Sequence, residues 1–539
     1  MNAPANPSRT LWPNISGVST LLRFALWRER LSLPFWLLGV GALLVFQSLG
    51  SQRFYDTPQK LAQLRETMSA SAATVAMGGP TRLLDTIGGE IVFEIFAYLA
   101  VVVALMNMFV VGRHTRSDEE TGRAELLRSG RVGRWAPTVA ALAVAGVADT
   151  AVVLVVFAAA VGSGLPLGGS LLLGVVTAGV GITFAAVTAV AVQVFENPRS
   201  VYGAVGLALA AAYVARAVGD VGNGLASWTS PIGWGQRSYP YAGDRWWTVL
   251  LFAAATATLT AVAFLLHDRR DFGAGLFGYG TGRADASWAL RSPVGLAWRL
   301  QRGSLAGWAV GVFVLGAAYG SFADSIEDYL ADNPEIAAYL PGGAGRAVDS
   351  YLSLAVSIIA VLAAAFGIAS VLRARAEETA GRAEPILAAP VSRAQWLASH
   401  LTVALAGSGF VLACGGFGMG LSYGLTISDA VQPLRMAGVA LVYLPAVWSI
   451  AAIATIGCGW FPTAAVPLAW TVFAYCTVAV LFAGAFDLPD WFDEASPFTH
   501  IPKVPLQTVT AAPILTITAV TMAALAAGFA GFRRRDTGY

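Results

Sequence analysis

Long apolar runs separated by short polar segments extend through the whole chain. A run of about 18 or more apolar residues is long enough for a helix to cross the hydrocarbon core of a bilayer. The runs predict six membrane spans in each half of the chain. They cover residues 33–49, 91–111, 137–161, 171–194, 201–215 and 248–266, and then 305–323, 352–372, 401–423, 436–457, 463–485 and 513–532.

The composition agrees with this pattern. Of the 539 residues, 56% are hydrophobic and only 12% are charged, a balance that a soluble domain of this size does not need. Helices are the elements that satisfy their backbone hydrogen bonds within one apolar segment. We therefore predict an all-α polytopic membrane protein with about twelve transmembrane helices.

The charged residues predict an orientation. Basic residues concentrate before the first span, in the loops that follow the second and the eighth spans, in the linker at the middle of the chain and in the tail 533–535. The acids at 324, 327, 328, 332 and 335 fall on the other side. Because cytoplasmic loops are enriched in Lys and Arg, both termini are predicted to be cytoplasmic, in the plasma membrane. An even number of spans in each half gives two parallel six-helix repeats, which together form a pseudo-dimer.

The same pattern predicts the domain organisation. Residues 1–32 form a cytoplasmic N-terminus with an amphipathic interfacial helix, 33–266 the first transmembrane half, and 267–304 a cytoplasmic linker with a second interfacial helix. Residues 305–532 form the second half and 533–539 the tail. Residues 51–89 are too polar for a span, so we expect a small external helical element there.

One charged segment occurs twice. Residues 116–125 read Arg-Ser-Asp-Glu-Glu-Thr-Gly-Arg-Ala-Glu and residues 375–384 read Arg-Ala-Glu-Glu-Thr-Ala-Gly-Arg-Ala-Glu; we call them the first and the second cassette. Aligning Glu-Glu-Thr leaves one inserted residue before the shared Gly-Arg-Ala-Glu. Each is predicted to hold a short loop helix, with Glu119 and Glu120 in the first turn of one and Glu377 and Glu378 early in the other.

The residues of the cassettes leave two interpretations open. A solvated, well-capped hairpin would explain one copy. Repetition at the same place in both halves favours a pair of equivalent polar elements that dock onto a two-fold partner. Arg30 before Trp36 and Arg302 before Trp308 repeat at the same spacing at the start of the first and seventh spans.

The second cassette and the residues after it carry a family resemblance. Glu377, Glu378, Gly381, Arg382 and Glu384, followed by Pro-Val-Ser-Arg at 390–393 and a tryptophan at 396, resemble the coupling-helix region of ABC type-two exporter permeases. The whole chain resembles the fused twelve-span permeases of actinobacterial exporters described as tetronasin or multidrug efflux permeases. The first copy departs from the pattern, with Gly-Arg-Val at 130–132 in place of Pro-Val-Ser.

The resemblance implies a type V ABC exporter-like fold and an ATPase partner. In that family the helix after the second span of each half sits in a cleft of an ATPase subunit, so two copies of a separate ABC ATPase are expected, with ATP and Mg²⁺ bound by the partner and no cofactor bound by this chain. The residues implied in ATPase coupling are Glu119, Glu120, Gly122, Arg123, Glu125, Glu377, Glu378, Gly381, Arg382 and Glu384.

The chain has no ATPase site of its own. A Walker A loop needs a lysine after a glycine-rich turn, and the only two lysines, Lys60 and Lys503, lie in no such motif. The four histidines are scattered without ligand spacing, so no metal site is predicted. No catalytic residue and no nucleic-acid partner are predicted either; the expected partners are the ATPase, the lipid bilayer and a small amphipathic substrate.

Within the spans, one carboxyl group stands out. Asp149 falls in the middle of the third predicted span, where a charge is costly enough to suggest a function; the alternative is that it pairs with a neighbouring helix. A substrate path between the second and eighth spans is predicted from a set of aromatic residues and methionines, for which packing against helices or lipid is the alternative. The set is Phe93, Phe96, Met106, Met108, Tyr351 and Phe366.

The function predicted from the sequence is that of a permease subunit of an ATP-driven ABC exporter, which moves a hydrophobic or amphipathic, antibiotic-like or drug-like compound out of the cell. A proton-coupled secondary efflux transporter that uses Asp149 is the first alternative. A membrane sensor or assembly subunit that docks an ATPase without moving cargo is the second.

Overall fold

Helices make up most of the chain in this computed structural model, which describes residues 12–55, 57–70, 72–130, 132–271, 273–276, 285–323, 346–482 and 490–535. The chain divides into two units, Met1–Gly282 and Arg283–Tyr539. No β-strand forms within the described ranges. The acidic residues expected outside the membrane at 324–335 lie outside the described residues.

The first unit contains twelve α-helices in its described residues. They are α1 (Val18–Glu29), α2 (Ser32–Phe54), α3 (Pro58–Ala70), α4 (Ala72–Gly78), α5 (Ile87–Arg113), α6 (Arg116–Glu120), α7 (Arg123–Arg128), α8 (Ala136–Gly162), α9 (Leu167–Val194), α10 (Pro198–Val221), α11 (Pro231–Gln236) and α12 (Val249–Arg269).

The described part of the second unit contains nine. They are α13 (Pro293–Phe322), α14 (Ala347–Thr379), α15 (Glu384–Leu387), α16 (Arg393–Thr426), α17 (Gln432–Leu441), α18 (Leu444–Trp460), α19 (Ala465–Phe482), α20 (Asp490–Glu494) and α21 (Ala511–Arg534).

Ten of these helices are long and apolar enough to cross a membrane, which confirms the prediction of a polytopic all-α membrane protein. They are α2, α5, α8, α9, α10, α12, α13, α14, α16 and α21. The tenth predicted span is a pair of helices, α17 and α18, bent by 41° at the break between them. The eleventh corresponds to α19, whose predicted end at 483–485 lies outside the described residues, so the count of twelve stays a prediction.

Several helices begin where the sequence supplies a cap. The side chains of Thr86, Asn197 and Ser292 each accept a hydrogen bond from a backbone N–H in the first turn of α5, α10 and α13. Ser392 and Gln395 form a reciprocal capping box at the start of α16. These side chains satisfy amide groups that have no partner inside the helix, and so they set where each helix starts.

Within each unit, some helices are central and others peripheral. Helices α5 and α9 in the first unit and α14 in the second are mostly buried, whereas α2, α10 and α12 have few buried residues. Leu38, Leu207 and Leu250 on these peripheral helices are each about two-thirds or more exposed. Apolar side chains exposed over such long helices indicate a surface that contacts lipid.

Glycines allow α13 and α16 to pack with their backbones close together. A Cβ at Gly316 would collide with the carbonyl of Gly415, and a Cβ at Gly418 would collide with the carbonyl of Phe313. Small residues at a helix interface permit this approach in membrane proteins. The backbones of α13 and α16 therefore approach closely at Gly316 and Gly418.

The polar segments outside the spans are also helical. Helix α1 forms where the amphipathic interfacial helix is predicted, and α3, α4 and the 3₁₀ turn Thr81–Asp85 form in the segment 51–89. In contrast, the predicted second interfacial helix is not a separate element. Its residues from Pro293 onward belong to α13, a single helix of 30 residues.

Candidate functional site: the two charged cassettes

The first cassette folds as two short helices. Helix α5 ends at Arg113, α6 spans Arg116–Glu120, and α7 spans Arg123–Arg128. The backbone leaves the helical region at Thr115 (φ −125°, ψ −89°), and Gly122 adopts a left-handed conformation with φ of +73°. The prediction of a single loop helix was therefore wrong, because a glycine in this conformation ends a helix.

The second cassette begins inside a span helix. Glu377 and Glu378 lie in the last turn of α14, so their predicted place early in a loop helix was wrong. Gly381 has a φ of +70°; its N–H donates to the carbonyl of Glu378 at 2.9 Å, and the N–H of Arg382 donates to that of Glu377 at 3.0 Å. This pair of bonds is the Schellman closure of a helix end. Gly381 is therefore a helix stop, and Gly122 occupies the same position after α6.

Acidic side chains at the carboxyl end of a helix need basic partners, because the helix dipole is negative there. Glu377 forms ion pairs with Arg373 at 2.7 Å and Arg382 at 2.6 Å. Glu378 pairs with Arg375 at 3.3 Å and Arg535 at 2.5 Å. Both carboxylates are buried or nearly so, and their charges are met within the chain.

The acids of the first cassette are paired in the same way. Glu119 forms ion pairs with Arg116 and with Arg270, the latter at 2.5 Å. Asp118 pairs with Arg28 at 2.7 Å and lies 3.7 Å from Arg123. The charges of these carboxylates are therefore also met within the chain.

The shared contacts give the alignment of the two cassettes. Arg116 and Arg375 both pair with the acid three residues later, so Glu119 corresponds to Glu378. Likewise Asp118 corresponds to Glu377, since each pairs with the arginine of its Gly-Arg dipeptide. The alignment has no gap, which corrects the inserted residue inferred from the sequence.

Two arginines of these ion pairs were missed by sequence reasoning. Arg270 is the first residue after α12, and Arg535 is the first after α21. In the sequence they contribute only to the excess of basic residues on one side of the membrane. Their pairing with Glu119 and Glu378 joins positions more than 150 residues apart, and no local pattern reports such a contact.

We call Arg116, Glu119 and Arg270 the first ion cluster, and Arg375, Glu378 and Arg535 the second. All six side chains are at most 13% exposed. Arginine suits this place because its planar guanidinium can bind a carboxylate and a second acceptor at once. The residues that surround the two clusters are different.

Helix α1 contacts the first cassette. Glu29 is 1% exposed; it accepts a hydrogen bond from Arg113 at 2.9 Å, and His114 Nε2 lies 2.9 Å from its carboxylate. Burial acts to raise the pKa of Glu29, but the hydrogen bond with His114 and the charge of Arg113 outweigh it and hold that pKa below its usual 4.5. The ionised carboxylate therefore holds α1 against the end of α5.

Apolar packing holds the second cassette. Trp396 and Phe532 are both 1% exposed and form a cluster with Ala383, against which Ile386 and Leu387 of α15 pack. The first cassette has a cavity of about 30 Å³ instead. It is lined by His114, Thr115, Asp118, Glu119, Ala124, Pro137, Thr138, Val192, Gln193, His267 and Arg270.

Several predicted coupling residues remain exposed. In the first cassette they are Glu120, Arg123 and Glu125, and Leu126 beside them is 77% exposed. In the second they are Gly381, Arg382 and Glu384. An open groove of about 460 Å³ adjoins Glu384. It is lined by Glu378, Ala383, Glu384, Leu387, Ala388, Val391, Ser392 and Arg393.

Asp149 lies inside the first unit, 5% exposed. Its Oδ1 accepts a hydrogen bond from Asn107 on α5 at 2.8 Å. The carboxyl group thus has the neighbouring-helix partner that the alternative interpretation expects. Within the described residues, no group of three or more His, Cys, Asp or Glu side chains could hold a metal ion.

The residues predicted for a substrate path are packed within their own units. Five are at most 4% exposed: Phe93, Phe96, Met106, Met108 and Phe366. Tyr351 is half-buried, and its hydroxyl donates to the carbonyl of Tyr319 at 3.1 Å. A role for these six in a path stays a prediction.

Comparison with known proteins identifies the family. Residues 290–533 match the family model described as "Multidrug efflux system permease Rv1217c, C-terminal domain". The chain is also 38% identical over 525 residues to the "Multidrug efflux system permease protein Rv1217c" of Mycobacterium tuberculosis (strain ATCC 25618 / H37Rv), an alignment that covers 97% of this chain and 95% of the relative. The chain therefore belongs to the family of multidrug efflux system permeases.

Proposed function

We propose that this permease is the membrane subunit of an ATP-driven ABC exporter that moves hydrophobic or amphipathic, drug-like compounds out of the cell. Two copies of a separate ABC ATPase dock on the two cassettes and bind the ATP and Mg²⁺. The permease lies in the plasma membrane with both termini in the cytoplasm. Drug-like cargo is proposed because the relative is named a multidrug efflux permease.

The observation that carries the proposal is the groove beside the second cassette. Its walls combine the exposed carboxylate of Glu384 with apolar side chains such as Leu387 and Val391. Protein interfaces of this kind pair an apolar centre with a polar rim. A helix or loop of an ATPase with a basic residue facing Glu384 would suit this groove.

The ion pairs reduce the number of cassette residues that are candidates for direct contact with an ATPase. Glu119, Glu377 and Glu378 are already paired inside the permease, so they do not offer free charges to a partner. The exposed side chains of Glu125, Leu126 and Glu384 are the better candidates for direct contact. We therefore assign direct contact to the exposed residues and support of the cassette to the buried ones.

Two contacts support the proposed cytoplasmic location of both termini. Arg535, next to the carboxyl terminus, pairs with Glu378 of the second cassette, and Arg28, near the amino terminus, pairs with Asp118 of the first. Arg28 and Arg535 thus each lie beside the cassette of their own unit. If the cassettes bind a cytoplasmic ATPase, both termini are cytoplasmic, as the basic residues of the sequence also indicate.

Co-purification tests the proposal. The permease is expressed with the ABC ATPase encoded beside its gene, and the ATPase recovered with it is compared between the parent and a Glu125→Arg/Glu384→Arg variant. We expect at least tenfold less ATPase with the variant, because two exposed contacts would become repulsive. Charge reversal at Glu377 and Glu378 would be a poorer test, since it would break the internal ion pairs.

Glu66→Arg is the matched control, since Glu66 is also an exposed glutamate and belongs to α3 rather than to a cassette. It should leave ATPase recovery unchanged. Recovery of no ATPase with the parent would overturn the proposal. Transport that persists without ATP and is abolished by Asp149→Asn would then support the proton-coupled alternative.

A further inference from the structure

The two ion clusters make further contacts that are the same in both units. Arg270 Nη1 donates to the carbonyl of Val192 at 3.0 Å, at the end of α9. Arg535 Nη1 donates to the carbonyl of Cys458 at 2.8 Å, near the end of α18. Each arginine therefore binds a cassette carboxylate with one nitrogen and the end of another membrane helix with the other.

A second arginine in each unit holds the first in place. Arg134 donates to the backbone carbonyl of Arg270 at 3.0 Å, and Arg393 donates to that of Arg535 at 2.6 Å. Arg134 follows Glu119 by 15 residues (119 to 134), and Arg393 follows Glu378 by the same 15 (378 to 393). The correspondence therefore extends from the cassette to the start of the next long helix.

Each cluster thus joins the ends of four helices or helix extensions. In the first unit they are α6, the residues before α8, α9 and the end of α12. In the second unit they are α14, α16, α18 and the end of α21. Removal of Arg270 or Arg535 from its cluster leaves a buried carboxylate with one ion-pair partner instead of two, which is costly.

We propose that Arg270 and Arg535 are positioning residues that fasten each cassette to the last helix of its unit, so that movement of the cassette is transmitted to that helix. The coupling part of this inference rests on the proposed docking of an ATPase. The fastening itself concerns the permease alone. Loss of the arginine should leave the ATPase bound while the last helix no longer follows the cassette.

The fastening can be measured in the permease without its partner. Spin labels are placed at Thr379 and Ala512, both exposed, in a variant without native cysteines and reconstituted in nanodiscs. The rise per residue in α21 puts Ala512 roughly 35 Å along the helix from Arg535. The parent should give one narrow distance distribution, and Arg535→Gln should broaden it at least twofold.

Arg534→Gln is the matched control, because it removes the same charge from an exposed neighbour. Its distance distribution should equal that of the parent. Arg535→Lys keeps the charge but cannot bind Glu378 and the carbonyl of Cys458 in the same way, so it should give an intermediate width. If Arg535→Gln fails to fold, the width measured with Arg535→Lys tests the proposal instead. Distance distributions as narrow as the parent's in every variant of Arg535 that folds would refute the proposal that this arginine fastens the cassette.

Thiol labelling with the ATPase present tests transmission. The rate at which a membrane-impermeant maleimide modifies Ala512→Cys is measured with and without ATP. We expect at least a threefold change on ATP addition in the parent background, and less than 1.5-fold with Arg535→Gln although the ATPase still co-purifies. Arg534→Gln should behave as the parent.

The two measurements separate two failures. If the parent recruits no ATPase, the proposed function fails, and the spin-label distances still decide whether Arg535 fastens the cassette. If the ATPase binds but ATP changes labelling equally in the parent and in Arg535→Gln, the coupling role of Arg535 is refuted. Arg270→Gln, with Arg269→Gln as its exposed control, extends the test to the first unit.

Discussion

The first and second cassettes contain the same ion cluster on different scaffolds. In the second unit, α14 runs without a break to Thr379 and carries the acids in its last turn. In the first unit, α5 ends at Arg113 and a separate helix, α6, carries the acids. The comparison shows that the buried Arg–Glu–Arg arrangement is common to both units, whereas the helix that presents it is not.

The helices at the start of the two units also differ in whether they are continuous. Helices α1 and α2 are separate in the first unit, whereas the corresponding part of the second is the continuous α13. Glu29 precedes Arg30 and is ionised against Arg113 and His114. Gln301, which precedes Arg302, bonds instead to Ser370 and His400. A charged contact therefore replaces helix continuity in the first unit.

The packing next to the two cassettes differs as well. Trp396 and Phe532 fill the space beneath the second cassette, whereas a small cavity lined by polar groups such as Gln193 and His267 adjoins the first. Charged and polar contacts respond to pH and salt, whereas apolar packing does not do so directly. The first cassette should therefore be the more sensitive of the two to solution conditions.

The largest effect is expected from Trp396→Ala. The indole is fully buried, and its Nε1 has no hydrogen-bond partner within the described residues, so the variant loses packing alone. The free energy of unfolding should fall by about 3–5 kcal/mol, as measured by SDS-induced unfolding followed by circular dichroism. Trp298→Ala is the control, since Trp298 is 49% exposed; an equal loss in both variants would contradict apolar anchoring.

Glu29→Gln should have the next largest effect. It replaces the acid by the amide that occupies the corresponding position 301 in the second unit. Loss of charge-assisted hydrogen bonds to Arg113 and His114 should lower the free energy of unfolding by about 2–3 kcal/mol, measured in the same way. Glu66→Gln, at an exposed site, should be neutral, and an equally neutral Glu29→Gln would refute the charged contact.

The stabilising effect of Glu29 should also depend on pH with a definite sign. Because the pKa of Glu29 is lower in the folded protein than its usual 4.5, its contribution is complete well above pH 4.5. It declines as pH falls past 4.5 and is lost as pH falls through the lowered pKa. The difference in stability between the parent and Glu29→Gln should therefore shrink in acid, and a constant difference down to pH 3 would count against this assignment.

The smallest effect is expected from Arg28→Gln. Arg28 is partly exposed and donates to Asp118 at 2.7 Å, so solvent screens part of the interaction. The free energy of unfolding should fall by about 1 kcal/mol, and proteolysis within the first cassette should accelerate while that in the second does not change. Arg23→Gln on the same helix is the exposed control, and acceleration in both cassettes would show a global effect instead.

Most of the helical architecture could be predicted from the sequence. Apolar runs of about 18 or more residues locate the long helices because the bilayer sets a minimum length. The amphipathic pattern of α1 and the polar composition of 51–89 are local as well. The resemblance of the whole chain to multidrug efflux permeases was likewise readable from the sequence and agrees with the family found, whereas the coupling role of Glu377, Glu378 and Gly381 stays a prediction.

The details of the cassettes were harder to predict. The left-handed glycines were a readable signal, because glycine after a run of helix-forming residues is a common helix stop. Equal spacing from Arg116 to Gly122 and from Arg375 to Gly381 also indicated an alignment without a gap. The identical Glu-Glu-Thr sequences favoured an alignment with one inserted residue instead, although Asp118 and Glu377 are both acidic and align without it.

The sequence by itself determined the helices, the place of the cassettes and the family, because these depend on hydrophobic runs, caps and motifs within short segments. Only the tertiary structure decided which acids are buried in ion pairs and which are exposed. Arg270 and Arg535 follow helices that are distant in the chain from Glu119 and Glu378, and their charges meet only when the helices pack. Buried carboxylates require such partners because removal of a charge from water is costly, and the chain supplies them through long-range packing.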